Sequence, residues 1–312
     1  MDDTELRALT SAIKGNTMKI ATYNIQWGKG QDEVVDLARI AATVAAADVI
    51  CLQEVECNWR EMPDCDQVAR LAALLADHHA IFSPTVDLHD HRGSGRNGRR
   101  QYGLMLLSRW PILSTRTFPL PKYPVLGSLN DSSCLQEAVI APGGRGVRIY
   151  NTHLNYLSQR QRGLQIDEIM KIIADAPNQG GPIVGPGVPA SEYEQDWIAV
   201  RPEDVPAMPV PAVLVGDFNM RTNSPNYDQI VGERDPCYGR LPDLALLSDA
   251  LTQAGLAEDE GSTHPEADPL GYQRIDHIFV SGDLADKVSA AWIDSQAIGS
   301  DHQPVFAEIA FP

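Results

Sequence analysis

The chain has 312 residues, of which 25 are Lys or Arg and 42 are Asp or Glu, for a formal charge of −17. With 43% hydrophobic and 21% charged residues it has a globular composition, and its length allows a large core in one large domain or two small ones. The acid excess excludes a broad polyanion binder, since no diffuse positive field attracts phosphate backbones or anionic lipid; an enzyme gripping phosphate at one local, metal-loaded spot stays open.

No run reaches the roughly 20 uninterrupted apolar residues of a membrane span. The most apolar region, Ile40 to Leu52, is mostly alanine and is broken by Asp48. Met1–Asn16 is polar and lacks the apolar core of a signal peptide. Cys51, Cys57, Cys65, Cys134 and Cys237 form no CxxC pair, so free thiols are expected rather than a disulfide framework or a structural zinc site. The expected compartment is the cytoplasm.

In chain order, Met18–Ile25 is the first short, β-branched run of strand length. A helical pattern follows over Asp32–Ala47, with Val35, Ile40 and Val44, and then a strand over Asp48–Val55. Asp66–Asp77 reads as a helix through Val68, Leu71, Leu74 and Leu75, with His78 and His79 as a C-terminal flank favourable to its dipole. Leu88–Arg100 (LHDHRGSGRNGRR) is a polar, basic segment in which His89 and His91 are expected to be solvated. Tyr102–Trp110 and Gly146–Asn155 are strands, and Ser158–Ala174 is a helix with Ile166, Ile169 and Ile173 along one face. Ala176–Pro211, rich in Gly and Pro, is too long for a turn and reads as a lid or a decorated insertion. Ala212–Asp217, Ile275–Ser281 and Pro304–Phe311 are the last strands, and between them Asp243 is placed to cap a helix Leu244–Ala254 that Gly255 stops. Strands and helices alternate early, and later strands follow one another through loops. That order predicts a four-layer α/β sandwich, two packed mixed β-sheets flanked by helices. No second core is legible, so one domain over residues 1–312 is expected, with its core at about 18–311.

Polar residues gather where these strands end. Asn24 closes ATYN, Glu54 closes VICLQE, His153 closes RIYNTH, and Asp217 and Asn219 close VLVGDFN; Asp276 sits in RIDHIF, and Asp301–His302 precede PVFAEI. Such groups are costly to bury without partners. If the ends converge, they form an acid-lined pocket with histidines, suited to a hard divalent cation held by oxygen. His277 neighbours Asp276, but adjacent strand residues face opposite ways, so both cannot enter one pocket.

TYNIQ, LQEV, NTHL, GDFN, RIDHIF and SDHQPV, in that order, resemble the motif set of the endonuclease/exonuclease/phosphatase superfamily. That group includes deoxyribonuclease-like enzymes, neutral sphingomyelinases, inositol-phosphate phosphatases and deadenylases. The resemblance spans nearly the whole chain and is specific for fold and reaction class, less so for substrate. It implies a Mg²⁺-dependent phosphoric ester hydrolase, with Mn²⁺ able to substitute and one or two ions left open. Glu54 would be the principal metal ligand, with Asn24 beside it on metal or phosphate, and Asp301 a metal ligand or a partner of His302. Asp217 would be the general base, Asn219 would fix it, His302 and His153 would bind phosphoryl oxygens, and Asp276 would orient an imidazole, which leaves His277 as a packed, hydrogen-bonded core residue. The implied reaction is in-line attack of water on phosphorus.

The substrate side is read from the residues around these motifs. Arg92, Arg96, Arg99 and Arg100 oppose the overall charge and lead into the Tyr102 strand. They are either a solvated loop or, through Arg99 and Arg100, an anion clamp. Trp27, after TYNIQ, and Trp59, after LQEV, leave strands at the same end; Trp27 and Tyr102 are placed with the arginines as substrate-side residues. NTHL is similar to the motif of the sphingomyelinase-, phosphatase- and deadenylase-like branches. With the −17 charge, this favours a small or lipid-derived phosphoester over DNA or RNA. The intact site set argues against a binding protein that keeps the fold without catalysis. Oligomeric state is not legible.

Overall fold

A computed structural model describes residues 17–60, 66–92, 98–125, 127–189, 191–192, 194, 199–241, 243, 245–265 and 273–311. Met1–Asn16, Cys65, Arg96 and Leu244 therefore lie outside the described residues. The elements, in order, are β1 (Thr17–Asn24), α1 (Leu37–Val44), β2 (Val49–Cys57), α2 (Gln67–Leu74), β3 (His79–His89), β4 (Arg99–Ser108), β5 (Ser114–Pro119), β6 (Cys134–Ile140) and β7 (Val147–His153). They continue with α3 (Gln159–Gln179), β8 (Ala212–Asp217), α4 (Pro225–Val231), β9 (Arg234–Asp235), β10 (Gly239–Arg240), β11 (Leu247–Asp249), α5 (Ala250–Gln253), β12 (Asp276–Ser281), β13 (Val288–Ile293) and β14 (Val305–Ala310).

Two six-stranded sheets form, in the orders β13-β14-β1-β2-β4-β3 and β11-β12-β8-β7-β6-β5, beside a small β9–β10 ribbon. Each large sheet has one parallel pair, β1 with β2 or β7 with β8, flanked by antiparallel pairs. Alternation along the strands sorts their side chains. Met18, Ile20, Val49 and Cys51 of the first sheet meet Ile149, Val213, Val215 and Ile278 of the second in one core. The opposite faces carry Tyr23, Ile50 and Leu52 against Leu37, Ile40 and Leu71 of α1 and α2, and Tyr150, Leu214 and Phe279 against Ile166, Ile169 and Tyr227 of α3 and α4. The result is the expected α/β/β/α sandwich.

Helix α1 has eight residues, too few to persist alone in water. Burial of Leu37, Ile40 and Val44, at roughly 2 kcal/mol per large side chain, and the Asp36 cap on the Arg39 amide hold it. Asp66 and Ser158 cap α2 and α3 in the same way.

Several sequence expectations are corrected by pairing. Leu247–Asp249 is a strand against β12, starting at Leu247 opposite Ser281, so the helix read from an Asp243 cap begins only at Ala250, capped by Asp249. The segment 88–100 is not a free loop at its ends, because His89 pairs with Arg99 at the end of a β3–β4 hairpin. His79 opens β3 instead of flanking a helix, and His78 Nε2 donates to the Ala47 carbonyl at 3.0 Å. Helix α3 continues through Pro177 to Gln179, which takes the start of the segment read as an insertion. Strands β3, β5, β6 and β13 and helix α4 went unread because their patterns are too mixed or too short.

Near the site end, inward positions switch from aliphatic to amide. Gln53 donates to Asn151 at 2.7 Å, Asn151 to Gln136 at 3.2 Å, and Gln136 to Ser83 at 3.0 Å, all buried between the sheets. A buried, hydrogen-bonded chain of this kind fixes how the two sheets register at that end.

Candidate active site

Strand direction explains why the polar ends meet. Parallel β1 and β2 deliver Asn24 and Glu54 to one edge, and parallel β7 and β8 deliver His153 and Asp217, which are register partners. The antiparallel neighbours run the other way, so their starts arrive there. Asp276 of β12 sits opposite Asp217, and His302 lies just before β14, whose Val305 faces Thr22.

Glu54 is set by an irregularity. The β2–β4 register shifts between Leu52 and Val55, and Glu54 has φ 62. A bulge of this kind turns a side chain out of the alternation, and here it aims the carboxylate into the site. Gln26 (φ 44), Trp27 (φ 48) and Asn219 (φ 50) also hold left-handed backbone, a conformation costing on the order of 1–3 kcal/mol per non-glycine residue. All of these line one cavity of about 400 Å³, together with His153, Asp217, Asp301, His302 and Tyr102.

Asn24 ties the two sheets together: its Nδ2 donates to Glu54 Oε1 and to Asp217 Oδ2, both at 2.9 Å. Asp217 Oδ1 accepts the Asn219 amide at 2.9 Å, and Asn219 Nδ2 donates to the Leu154 carbonyl at 3.0 Å. Asp217 Oδ2 lies 3.4 Å from His153 Nε2 and 3.8 Å from His302 Nε2. His302 Nδ1 donates to Asp276 Oδ2 at 2.8 Å. Burial alone would raise the Asp217 carboxyl, but His153, His302, Asn24 and the Asn219 amide outweigh it and hold the group below its ordinary range. Burial opposes a charge on His302 as well, yet Asp276 and Asp217 push its pKa up to about 10. Burial also raises Asp276, partly offset by His302. At neutral pH the site therefore pairs an aspartate with an imidazolium.

Among the described residues, two groups are spaced to share a metal ion: His264, Asp301 and His302, and Asp217, Asp276 and His302. In the second, His302 Nδ1 already donates to Asp276 Oδ2. Glu54 has no ion-pair partner among the described residues, and it lines the cavity with Asp301. Carboxylate and carboxamide oxygens are the donors a hard divalent cation takes, so Glu54, Asn24 and Asp301 fit such an ion.

The substrate-side expectations divide. Trp27 and Tyr102 line the cavity, whereas Arg99 and Arg100 do not. Arg99 Nε donates to Asp87 at 2.7 Å, and Arg100 donates to the Trp59 carbonyl and lies over that ring. The arginine that lines the cavity, among the described residues, is Arg60. It rests 3.9 Å over the Trp27 ring and pairs with Glu56 at 3.2 Å; burial lifts Glu56 to about 7 despite that partner. His264 also went unread. It stacks on His302 at 4.4 Å and reaches Asp301 at 3.5 Å, but GSTHP carries no pattern that announces it.

The sequence profile of the endonuclease/exonuclease/phosphatase family matches residues 21–302. The chain belongs to this family. No curated protein sequence matches it. Among solved structures, an endonuclease/exonuclease/phosphatase from Beutenbergia cavernae is similar at 23% identity and a TM-score of 0.63, over 95% of this chain and 72% of that one. A mannosyl-6-phosphatase from Bacteroides thetaiotaomicron is similar at 18% identity and a TM-score of 0.60, over 94% of this chain and 100% of that one. Truncated TDP2 from Caenorhabditis elegans is similar at 19% identity and a TM-score of 0.59, over 96% and 99%. The activities that name the endonuclease/exonuclease/phosphatase family are hydrolyses of phosphoester bonds. No helix among the described residues is long and apolar enough to cross a membrane.

Proposed function

We propose that the chain is a divalent-cation-dependent hydrolase of a small or lipid-derived phosphoester, working by in-line attack of water. The observation that carries this reading is the Asp217–His302 pairing, an ionised base facing an imidazolium across 3.8 Å, at the wall of one cavity. Asp217, oriented by Asn24 and the Asn219 amide, aligns the attacking water and accepts its proton. His302 donates Nε2–H to a non-bridging phosphoryl oxygen as charge builds, while Asp276 holds Nδ1–H and keeps the ring fixed. His153, beside Asp217, binds a second oxygen. A divalent cation, Mg²⁺ or in its place Mn²⁺, held by Glu54 with Asn24 and Asp301 would supply positive charge against the phosphoryl group.

Leu129 (84% exposed) and Tyr156 (52% exposed) stand at the mouth of the cavity, an apolar rim suited to an organic leaving group. Similarity to a protein named as a mannosyl-6-phosphatase is in keeping with a small phosphoester. The −17 charge weighs against nucleic acid.

The test is a Mg²⁺-supplemented panel of phosphomonoesters, phosphodiesters, phospholipids and nucleic acids. Turnover of a small or lipid ester is expected, and Asp217→Ala or His302→Ala should lower kcat by about 10²-fold or more with unchanged circular dichroism. Wild-type rates in both variants would overturn the mechanism. Cleavage confined to DNA or RNA would replace the substrate class with a nuclease.

A further inference from the structure

Behind the catalytic edge, on the helix-covered face of the second sheet, lies a buried polar cluster that the mechanism above does not use. Asp249 (3% exposed), Arg274 (1%) and His277 (0%) sit in it among Phe218, Tyr227 and Phe279. Asp249 Oδ2 accepts from Arg274 at 3.0 Å and from the Tyr227 hydroxyl at 2.9 Å, and it faces His277 Nδ1 at 3.5 Å. The other ring nitrogen, Nε2, donates to the Met220 carbonyl at 3.2 Å.

Apolar residues of the same volume would hold this region at least as stably, because burying charges costs desolvation. What they could not do is grip backbone. The cluster grips it on both sides of the catalytic pair. Arg274 and His277 flank Asp276 in sequence, and Met220 directly follows Asn219 in the turn that carries Asp217. His277 pairs in register with Gly216, one residue before Asp217. The cluster thus clasps the two strand ends whose carboxylates, Asp217 and Asp276, contact the same imidazole.

We propose that His277, backed by Asp249 and Arg274, is a positioning residue: by holding the Met220 carbonyl it sets the Asp217–Asn219 turn against Asp276 and His302. This rests on the hydrolase reading for its activity readout. Displacing a base by about 1 Å can cost on the order of 10²-fold in rate, without loss of ground-state binding.

The test compares wild type with His277→Phe, which keeps the aromatic packing, and His277→Gln, whose amide can still reach the Met220 carbonyl. p-Nitrophenyl phosphate and bis(p-nitrophenyl) phosphate with Mg²⁺ are the probes, and NMR hydrogen exchange at the Asn219 amide is read in parallel. His277→Phe should lower kcat by about tenfold or more, leave KM within about twofold and speed exchange at Asn219. His277→Gln should restore most of both. Should His277→Phe fail to fold, Asp249→Asn, which keeps its shape and its bond to Leu251, should give the same split with a smaller drop. Wild-type kcat and Asn219 exchange in the folded variants would overturn the proposal while leaving the hydrolase reading intact. Wild type inert on every ester, with exchange still changed by His277→Phe, would overturn the hydrolase reading and leave the clasp standing.

Discussion

At the residue scale the sharpest feature is His302, held as an imidazolium by two carboxylates. Its folded pKa of about 10 lies above the ordinary 6.5. The folded state therefore binds the proton more tightly, and the stability gained from the charge is fully present below about 6.5 and lost as pH rises through about 10. The same group sets an expectation for activity. The rate of the wild type should hold into alkaline pH and fall as pH approaches about 10. Asp276→Asn removes the attraction that most favours the charge, so the alkaline limb of its kcat profile should move toward neutrality. A limb that stays in place would show that another group controls it.

At the scale of elements, two places carry the geometry. Gly216 has φ 148 inside β8, and a Cβ there would stand 1.9 Å from the Thr152 carbonyl of β7. Gly216→Ala must spread the parallel pair that carries His153 and Asp217, and it should cost about 3 kcal/mol or more, read by urea denaturation. The second place is the Asp249 cluster. Burial would raise the Asp249 carboxyl, but His277, Arg274 and Tyr227 outweigh it and hold it below its ordinary range. A depressed folded pKa contributes stability that is present above the unfolded value and lost as pH falls through the folded one. Unfolding free energies measured on acidification should decline less steeply for Asp249→Asn than for wild type. Asp249→Ala, which strands a buried arginine, should cost about 3–5 kcal/mol at neutral pH.

For the whole molecule, the −17 charge separates small from polymeric substrates. Binding of a polyanion through released counterions falls steeply with salt, and this surface has no broad positive field to drive it. Turnover of a small ester should therefore change little between low and physiological salt, measured as kcat/KM. A steep fall would instead indicate a polyanionic substrate held across an extended surface.

The seven strands legible in the sequence are those whose apolar runs are buried on both faces between sheet and helices, such as Ala212–Asp217. Half-exposed β5 and β13 carry no such run, and β11 exists only because β12 offers it a partner. The polar residues at the strand ends were legible too, because GDFN or RIDHIF closing or opening an apolar strand is costly unless something meets it. Alternation puts Asp276 and His277 on opposite faces, and the motif resemblance is what assigns Asp276 to the site and His277 to the core; in the fold Asp276 holds His302, and His277 is buried against the Met220 carbonyl. Tertiary structure decided what stands beside the site: Arg60 lining the cavity where Arg99 and Arg100 do not, His264 stacked on His302, and the bulge that aims Glu54. Period and composition report which face of an element is buried, since that is a property of one segment. Which side chains from distant segments share a cavity depends on strand order and register, and those are set only when the two sheets pack.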